Sequence, residues 1–382
     1  MRRGPVEVGR GNKTAYTARV TASLIQDEPG LRAFSARLAG AEWIALDTEF
    51  MRVKTYSARL CLLQVATPEV IACVDPLAMP IDPLLDVLYD ARALKVLHAA
   101  RQDLEVFFDL RQAAPAPVFD TQIAAALLGH DDQTGYATLV EKITGHKLPK
   151  VNQRADWAAR PLSAELLTYA ADDVRYLRDV YLKLDAELTA RGRREWLSEE
   201  CAALTDAKLY RNDPEQAWQR LKQGKMLNPT QQTVLAQLAA WRERLAQQKN
   251  LPRGWIVADP VLADIARAMP GSPEQLAAVN GTEPALVRRF GKEILDAVHA
   301  GREAPAQRLW AEPPRPDPAQ QRLLDQVSAR IQTCARDQGI AATLLAPKRE
   351  MMKFVLNDPD CALLRGWRYQ LIGAALVALR PS

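Results

Sequence analysis

The feature that most constrains the fold of this chain is a change of pattern part-way along it. Through the first half, short apolar runs that read as strands alternate with helical patterns. The strand readings are YTARVTASLI (16–25), WIALDTEF (43–50), RLCLLQVAT (59–67), VIACVDP (70–76) and KVLHAA (95–100). The third and fourth are split by a short turn containing Pro68 and form a hairpin. PGLRAFSARLAG (29–40), PLLDVLYDARA (83–93), RQDLEVFFDL (101–110) and residues 162–188 read as helices, and PAPVFDTQIAAALLG (115–129) runs from strand into helix. A hairpin followed by alternating elements predicts an α/β fold with a mixed sheet and helices on both faces. Beyond about residue 210 the strand signals fade. Short helices punctuated by Pro and Gly follow, and the Pro-rich stretch AEPPRPDPAQ (311–320) separates a last helical set. A chain of 382 residues is long enough for two or three such units.

One strand raises a chemical question. In WIALDTEF, alternation puts Ile44, Leu46, Thr48 and Phe50 on one face and Asp47 and Glu49 on the other. The two carboxylates then lie roughly 6.5–7 Å apart along the strand. Half-buried like charges repel each other and lose hydration. Either this is a strand end that reaches water or nearby cations, or it is part of a divalent-cation site. Such a site needs more oxygen donors than one strand supplies.

More donors appear downstream. Asp103, in HAARQDLEVF (98–107), falls in the first turns of a helix that follows a strand. Tyr169 and Asp173, in YAADDVRYL (169–177), are four apart on a long helix and share a face. Asp172 points about 100° away from Asp173. Taken singly, each has an ordinary reading. Asp103 suits a helix N-terminus, Tyr169 and Asp173 suit a solvated stripe, and His98 suits a core. Taken together, Asp47, Glu49, Asp103 and Asp173 supply enough oxygen for two Mg²⁺ or Mn²⁺ ions. Two such ions about 4 Å apart suit an in-line displacement at phosphorus, with the Tyr169 hydroxyl orienting or helping to deprotonate the attacking water.

Composition narrows the alternatives. Hydrophobic residues are 48% and charged residues 25%, values of a soluble globular protein. No apolar run approaches the length of a membrane span, and the basic N-terminus has no apolar core after it, unlike a secretory signal. Five cysteines without a CxxC pair imply reduced thiols in a cytoplasm. With four histidines only, any metal is expected to be held by oxygen. A net charge of +4 permits nucleic-acid binding without requiring it.

DTEF, HAARQDLEVF and YAADDVRYL resemble the three exonuclease motifs of the DEDD superfamily, in the subgroup with Tyr in the third motif. The longer stretches LDTEFMRVKTYSARLCLLQVA, FDTQIAAALLG and ADWAARPLS, with the helical second half, are similar to bacterial ribonuclease D. The resemblance covers nearly everything after about residue 18 and implies a ribonuclease H-like exonuclease domain over 18–211, after a flexible extension at 1–17. It also implies a first helicase-and-RNase-D C-terminal (HRDC) domain over 212–301, a linker at 302–316 and a second, divergent HRDC-like domain over 317–382. RGWIVADPVLADIARAMP is the recognisable centre of the first. Residue by residue, the resemblance makes Asp47, Glu49, Asp103 and Asp173 metal ligands and Tyr169 the water-positioning tyrosine. It places Thr48, Phe50 and His98 at the 3′-terminal nucleotide. The implied activity is a 3′→5′ exoribonuclease that releases nucleoside 5′-monophosphates and trims transfer RNA precursors and other small structured RNAs. The implied protein is a monomer with two Mg²⁺ or Mn²⁺ ions and no nicotinamide or flavin cofactor.

Two other readings compete. A proofreading DNA exonuclease shares the four acids but would be joined to a polymerase, and here the partner units are helical. A non-catalytic nucleic-acid-binding protein would not need all five catalytic side chains. Lys222, Lys225, Lys249, Arg253, Arg288, Arg289 and Lys292 are available to meet phosphates, although a solvated helix face is the simpler reading of each.

Overall fold

The computed structural model describes residues 22–149, 155–310 and 315–380. The expected extension at 1–17 and part of the linker lie outside these residues. Six strands form one mixed sheet: β1 (Ser23–Ile25), β2 (Trp43–Met51), β3 (Arg59–Ala66), β4 (Ile71–Val74), β5 (Leu94–Leu97) and β6 (Val118–Asp120), in the order β1-β4-β3-β2-β5-β6. β3 and β4 pair antiparallel, as the hairpin pattern predicts, and β2 also pairs antiparallel with β3. β1 runs parallel to β4, β5 to β2 and β6 to β5. The first part of the expected strand 16–25 falls outside the described residues.

Consecutive residues of the central strands are fully buried, among them Ile44, Ala45 and Leu46 on β2 and Leu62 and Leu63 on β3. Neighbours on a strand point to opposite faces, so both faces of the sheet are covered. The covering helices are α1 (Glu28–Leu38), α2 (Asp82–Leu88), α3 (Arg101–Arg111), α4 (Thr121–Leu127), α5 (Tyr136–Thr144), α6 (Ala164–Ala190) and α7 (Arg194–Leu204). α6 starts at Ser163, whose hydroxyl accepts the Leu166 amide, and it packs across β2, β3, β4 and β5. α2 ends at Leu88, short of the expected 93. There the Asp90 carboxylate accepts the Arg92 amide, a side-chain turn that competes with the helix and leads into β5.

Beyond α7 the described residues contain no strand. Helices α8 (Pro229–Lys249), α9 (Arg253–Ile256), α10 (Asp259–Ala268), α11 (Pro273–Ala277) and α12 (Pro284–Glu303) enclose their own core, built on Val234, Leu235, Leu238, Leu262, Ile265 and Ile294. α12 approaches α8 closely because position 301 is Gly. A Cβ there would lie 2.5 Å from the Val234 Cα.

The last helices are α13 (Pro318–Gln338), α14 (Ala342–Leu345), α15 (Lys348–Val355) and a helical segment from Gly366 to Val377. Their core side chains, including Val327, Ile331, Phe354 and Trp367, are part of one continuous buried cluster with the sheet domain. Trp367 stacks on Trp196 of α7, ring centroids 4.5 Å apart, and its indole donates to Glu200 at 2.8 Å. The Pro-rich stretch therefore precedes a unit that is packed onto the α/β domain, where the sequence pattern suggested one standing apart.

Candidate active site

The site forms where β2, the β5–α3 junction and α6 meet. β2 contributes Asp47 and Glu49, and α6 contributes Asp173. One carboxylate oxygen from each of the three lies within 4.8 Å of those from the other two. Asp103, in the first turn of α3, is buried beside them but lies outside that set of three. Its Oδ1 accepts the Thr48 hydroxyl at 2.5 Å. β2 is also irregular here. Its register with β3 shifts between Glu49 and Phe50, so strict alternation ends at the site.

Two adjoining hollows share Asp47, Thr48, Glu49 and His98. One is completed by Tyr136, Tyr169 and Asp173, the other by Phe50, Arg52, Gln102, Asp103 and Trp157. The sequence-derived set is therefore brought to one place: Asp47, Glu49, Asp103, Tyr169 and Asp173, with Thr48, Phe50 and His98 on the walls. Asp172 faces away and pairs with Arg175 at 2.9 Å.

Burial acts on all four acids, and at least one neighbouring carboxylate repels each. Burial, then Asp173, Asp103 and Glu49, hold the Asp47 carboxyl well above the usual range. Burial, then Asp173 and Asp103, push Glu49 up to about 8. Asp103 rises to about 7 through burial, opposed by the Thr48 hydrogen bond. Asp173 rises to about 7 through burial and Asp172, opposed by the Tyr169 hydroxyl. The first hollow is lined by no Lys or Arg among the described residues. Buried carboxylates with no cationic side chain to neutralise them are the donor set that hard divalent cations require. The residues thus fit such ions. Tyr169 is hydrogen-bonded to Asp173, and burial first and Asp173 second raise its phenol, so the hydroxyl keeps its proton.

Several residues that serve the site escaped the sequence reading. Asp120, at the end of β6, is almost fully buried. Its Oδ2 accepts the Ala100 amide at 2.8 Å, and its Oδ1 accepts Ala99 at 3.1 Å and Gln122 at 2.8 Å. It caps α4 and holds the turn that aims α3, where Ala99 has φ +54°. Thr121 donates its hydroxyl to the Leu97 carbonyl at 3.1 Å and so accepts from His98 Nδ1 at 2.9 Å. That logic assigns the proton to Nδ1 and leaves Nε2 as an acceptor. Nε2 is buried and has no partner among the described residues. Tyr136 packs 5.5 Å from the His98 ring and donates to the Asp172 carbonyl at 3.0 Å. Its helix α5 was legible in principle, since Leu139, Val140 and Ile143 form an apolar stripe between Gly135 and Gly145. Gln64 pairs with Asp47 across β2 and β3, is fully buried, and its side-chain amide has no partner among the described residues.

Comparison with known proteins places this geometry in context. A family described as 3′-5′ exonuclease matches residues 23–189, and the HRDC domain family matches residues 231–298. Ribonuclease D of Nitrobacter hamburgensis is 38% identical over 362 residues, covering 94% of each chain. Ribonuclease D of Sphingobium indicum is 40% identical over 370 residues, covering 93% of this chain and 94% of its own. The crystal structure of Escherichia coli RNase D, described as an exoribonuclease involved in structured RNA processing, superimposes with a TM-score of 0.83 at 32% identity. The match covers 94% of this chain and 98% of that one. No helix among the described residues is long and apolar enough to cross a membrane.

Proposed function

The chain belongs to the ribonuclease D family and is a divalent-metal-dependent 3′→5′ exoribonuclease, and on that premise we propose how its residues divide the work. Asp47, Glu49, Asp103 and Asp173 hold two Mg²⁺ or Mn²⁺ ions. The observation that carries this reading is the convergence of three carboxylates within 4.8 Å, with Asp103 beside them. When bound, the cations neutralise the acids and supply positive charge to the phosphodiester and to the attacking and departing oxygens.

The chain's own groups do the rest. Tyr169, held by Asp173, orients the attacking water through a hydroxyl that stays protonated. Thr48 fixes Asp103 through its hydroxyl and presents its backbone to the 3′-terminal nucleotide. Phe50 offers an apolar wall to that nucleotide, and His98 Nε2 accepts a hydrogen bond from one of its hydroxyls. The helical unit at 212–301 binds the body of the RNA, with a second, divergent unit of the same kind at 317–382. The natural substrates are the 3′ ends of transfer RNA precursors and other small structured RNAs.

The test is incubation with 3′-labelled RNA and DNA oligonucleotides in Mg²⁺, Mn²⁺ or EDTA. Release of nucleoside 5′-monophosphates from RNA, abolished by EDTA, is expected. Hydrolysis that survives EDTA, or DNA degraded in preference to RNA, would overturn the reading.

A further inference from the structure

The segment between β2 and β3 links the cleft to the first helical unit. Phe50 and Met51 at the end of β2, then Arg52 and Val53 at the start of the segment, line the hollow that contains Asp103. Arg52 pairs with Glu105 of α3 at 3.0 Å, which anchors that end to the helix carrying Asp103. A few residues later the segment enters the other unit. The Tyr56 ring packs against the core of α8 to α12.

The contacts there are numerous and polar. The Tyr56 hydroxyl donates to Glu243 of α8, a side chain only 1% exposed. It accepts from Arg253 at 2.9 Å and from Gln247 at 3.2 Å, and the Arg253 guanidinium lies 4.6 Å from the centre of the Tyr56 ring. Arg253 and Arg220 neutralise Glu243. The main chain joins in as well. The amides of Tyr56 and Ser57 both donate to Asn250 Oδ1, at 3.0 and 3.1 Å. Asn250 ends α8 at φ +48°, a left-handed conformation that Asn adopts more readily than most residues, so its amide is turned toward the incoming segment.

We propose that Tyr56 is a positioning residue that locks the first helical unit to the wall of the catalytic cleft, so that one RNA molecule engages both. The proposal rests on the reading of that unit as an RNA-binding module. Two binding surfaces held in a fixed relation act on one ligand at high effective concentration, and that gain disappears when the geometry is released. Tyr56 touches neither the acids nor the cleft, so the chemical step does not depend on it.

The test compares wild type, Tyr56→Ala and Tyr56→Phe on two substrates: an RNA hairpin with a single-stranded 3′ tail, and a short single-stranded oligoribonucleotide. Tyr56→Ala is expected to raise KM for the hairpin about tenfold or more, with kcat and both constants for the short strand unchanged. Tyr56→Phe keeps the ring under Arg253 and shows a smaller rise. Asn250→Ala leaves Tyr56 intact, removes the acceptor for both amides, and shifts KM for the hairpin in the same direction. It serves as the second variant if Tyr56→Ala does not fold. Equal losses on both substrates, or no change on either, would overturn the proposal. A wild-type enzyme with the same KM on both RNAs would instead remove the RNA-binding reading of the helical unit. A wild type that prefers the hairpin, with variants that retain the preference, would overturn the role of Tyr56 alone.

Discussion

Thr48 and Asp103 are joined by a 2.5 Å hydrogen bond between a hydroxyl on β2 and a carboxylate on α3. Thr48 lies between Asp47 and Glu49, so this one bond fixes the strand that carries two acids against the helix that carries a third. It also favours the charged form of Asp103, against the burial that raises it.

Thr48→Val preserves shape and removes the donor. Hydrogen bonds to charged groups are worth about 1.5–3 kcal/mol, so kcat/KM is expected to fall roughly 10- to 100-fold, and half-saturation by Mg²⁺ to rise. Thr48→Ser keeps the hydroxyl and retains most activity. Equal activity in the Val and Ser variants, followed over a metal titration, would show that the bond is unimportant.

Burial, with acid repulsion added to it, makes the metal-free protein sensitive to pH in a defined direction. Glu49, Asp103 and Asp173 carry folded-state pKa values of about 8, 7 and 7, above the ordinary 4.5, 3.8 and 3.8. Between those limits the native state binds more protons than the unfolded chain, so stability falls as pH rises. Their contribution is fully present below about pH 4 and is lost by about pH 8. In EDTA, the melting temperature is expected to drop across that window, and Mg²⁺ is expected to flatten the curve. Asp47→Asn should abolish hydrolysis, remain folded and melt higher than wild type at pH 8 in EDTA. A metal-free protein whose stability rises with pH would contradict this account.

Tyr169→Phe deletes one hydroxyl and leaves the ring, which lies 6.2 Å from Trp157, in place. Turnover is expected to fall by roughly 10²–10⁴-fold, the range of side chains that act on the attacking water. Single-turnover kinetics with separately measured RNA affinity checks this. A loss confined to affinity would remove the water-positioning role.

Asp120 acts at a distance from the reacting atoms. Asp120→Ala strands the buried Ala100 amide and the part-buried amides of Ala99 and Gln122, and an unsatisfied buried group costs about 1–3 kcal/mol. Urea unfolding is expected to show a loss of at least about 2 kcal/mol. Activity should fall more than the remaining folded fraction explains, because the turn at Ala99 no longer aims Asp103. A variant as stable and active as wild type would refute the assignment.

The residues that meet at the candidate site were legible in the sequence because each has a local signature. Asp47 and Glu49 are charges on a buried strand, Asp103 follows a strand into a helix, and Tyr169 and Asp173 share a helix face. The strand order was not legible, since the pairing of β1 with β4 joins segments far apart in the chain. Asp120 and Thr121 were passed over because capping acids are common, and only the fold brings them under Ala100 and His98. Tyr56 carries no local signature in the sequence, and its partners Glu243, Asn250 and Arg253 lie in another unit. The last helices looked separable because Pro-rich sequence marks a linker, whereas Trp196 and Trp367 meet only in three dimensions.

That meeting has a consequence for synthesis. A ribosome delivers the chain from its N-terminus, and domains can fold as they emerge. Here the buried cluster under the sheet is completed by Val327, Phe354 and Trp367, which emerge long after its last strand. Trp196 and Glu200 on α7 do not meet Trp367 until then. The nuclease therefore closes its interior only after residue 367 has emerged, so a shorter nascent chain carries the clustered acids in an unfinished fold.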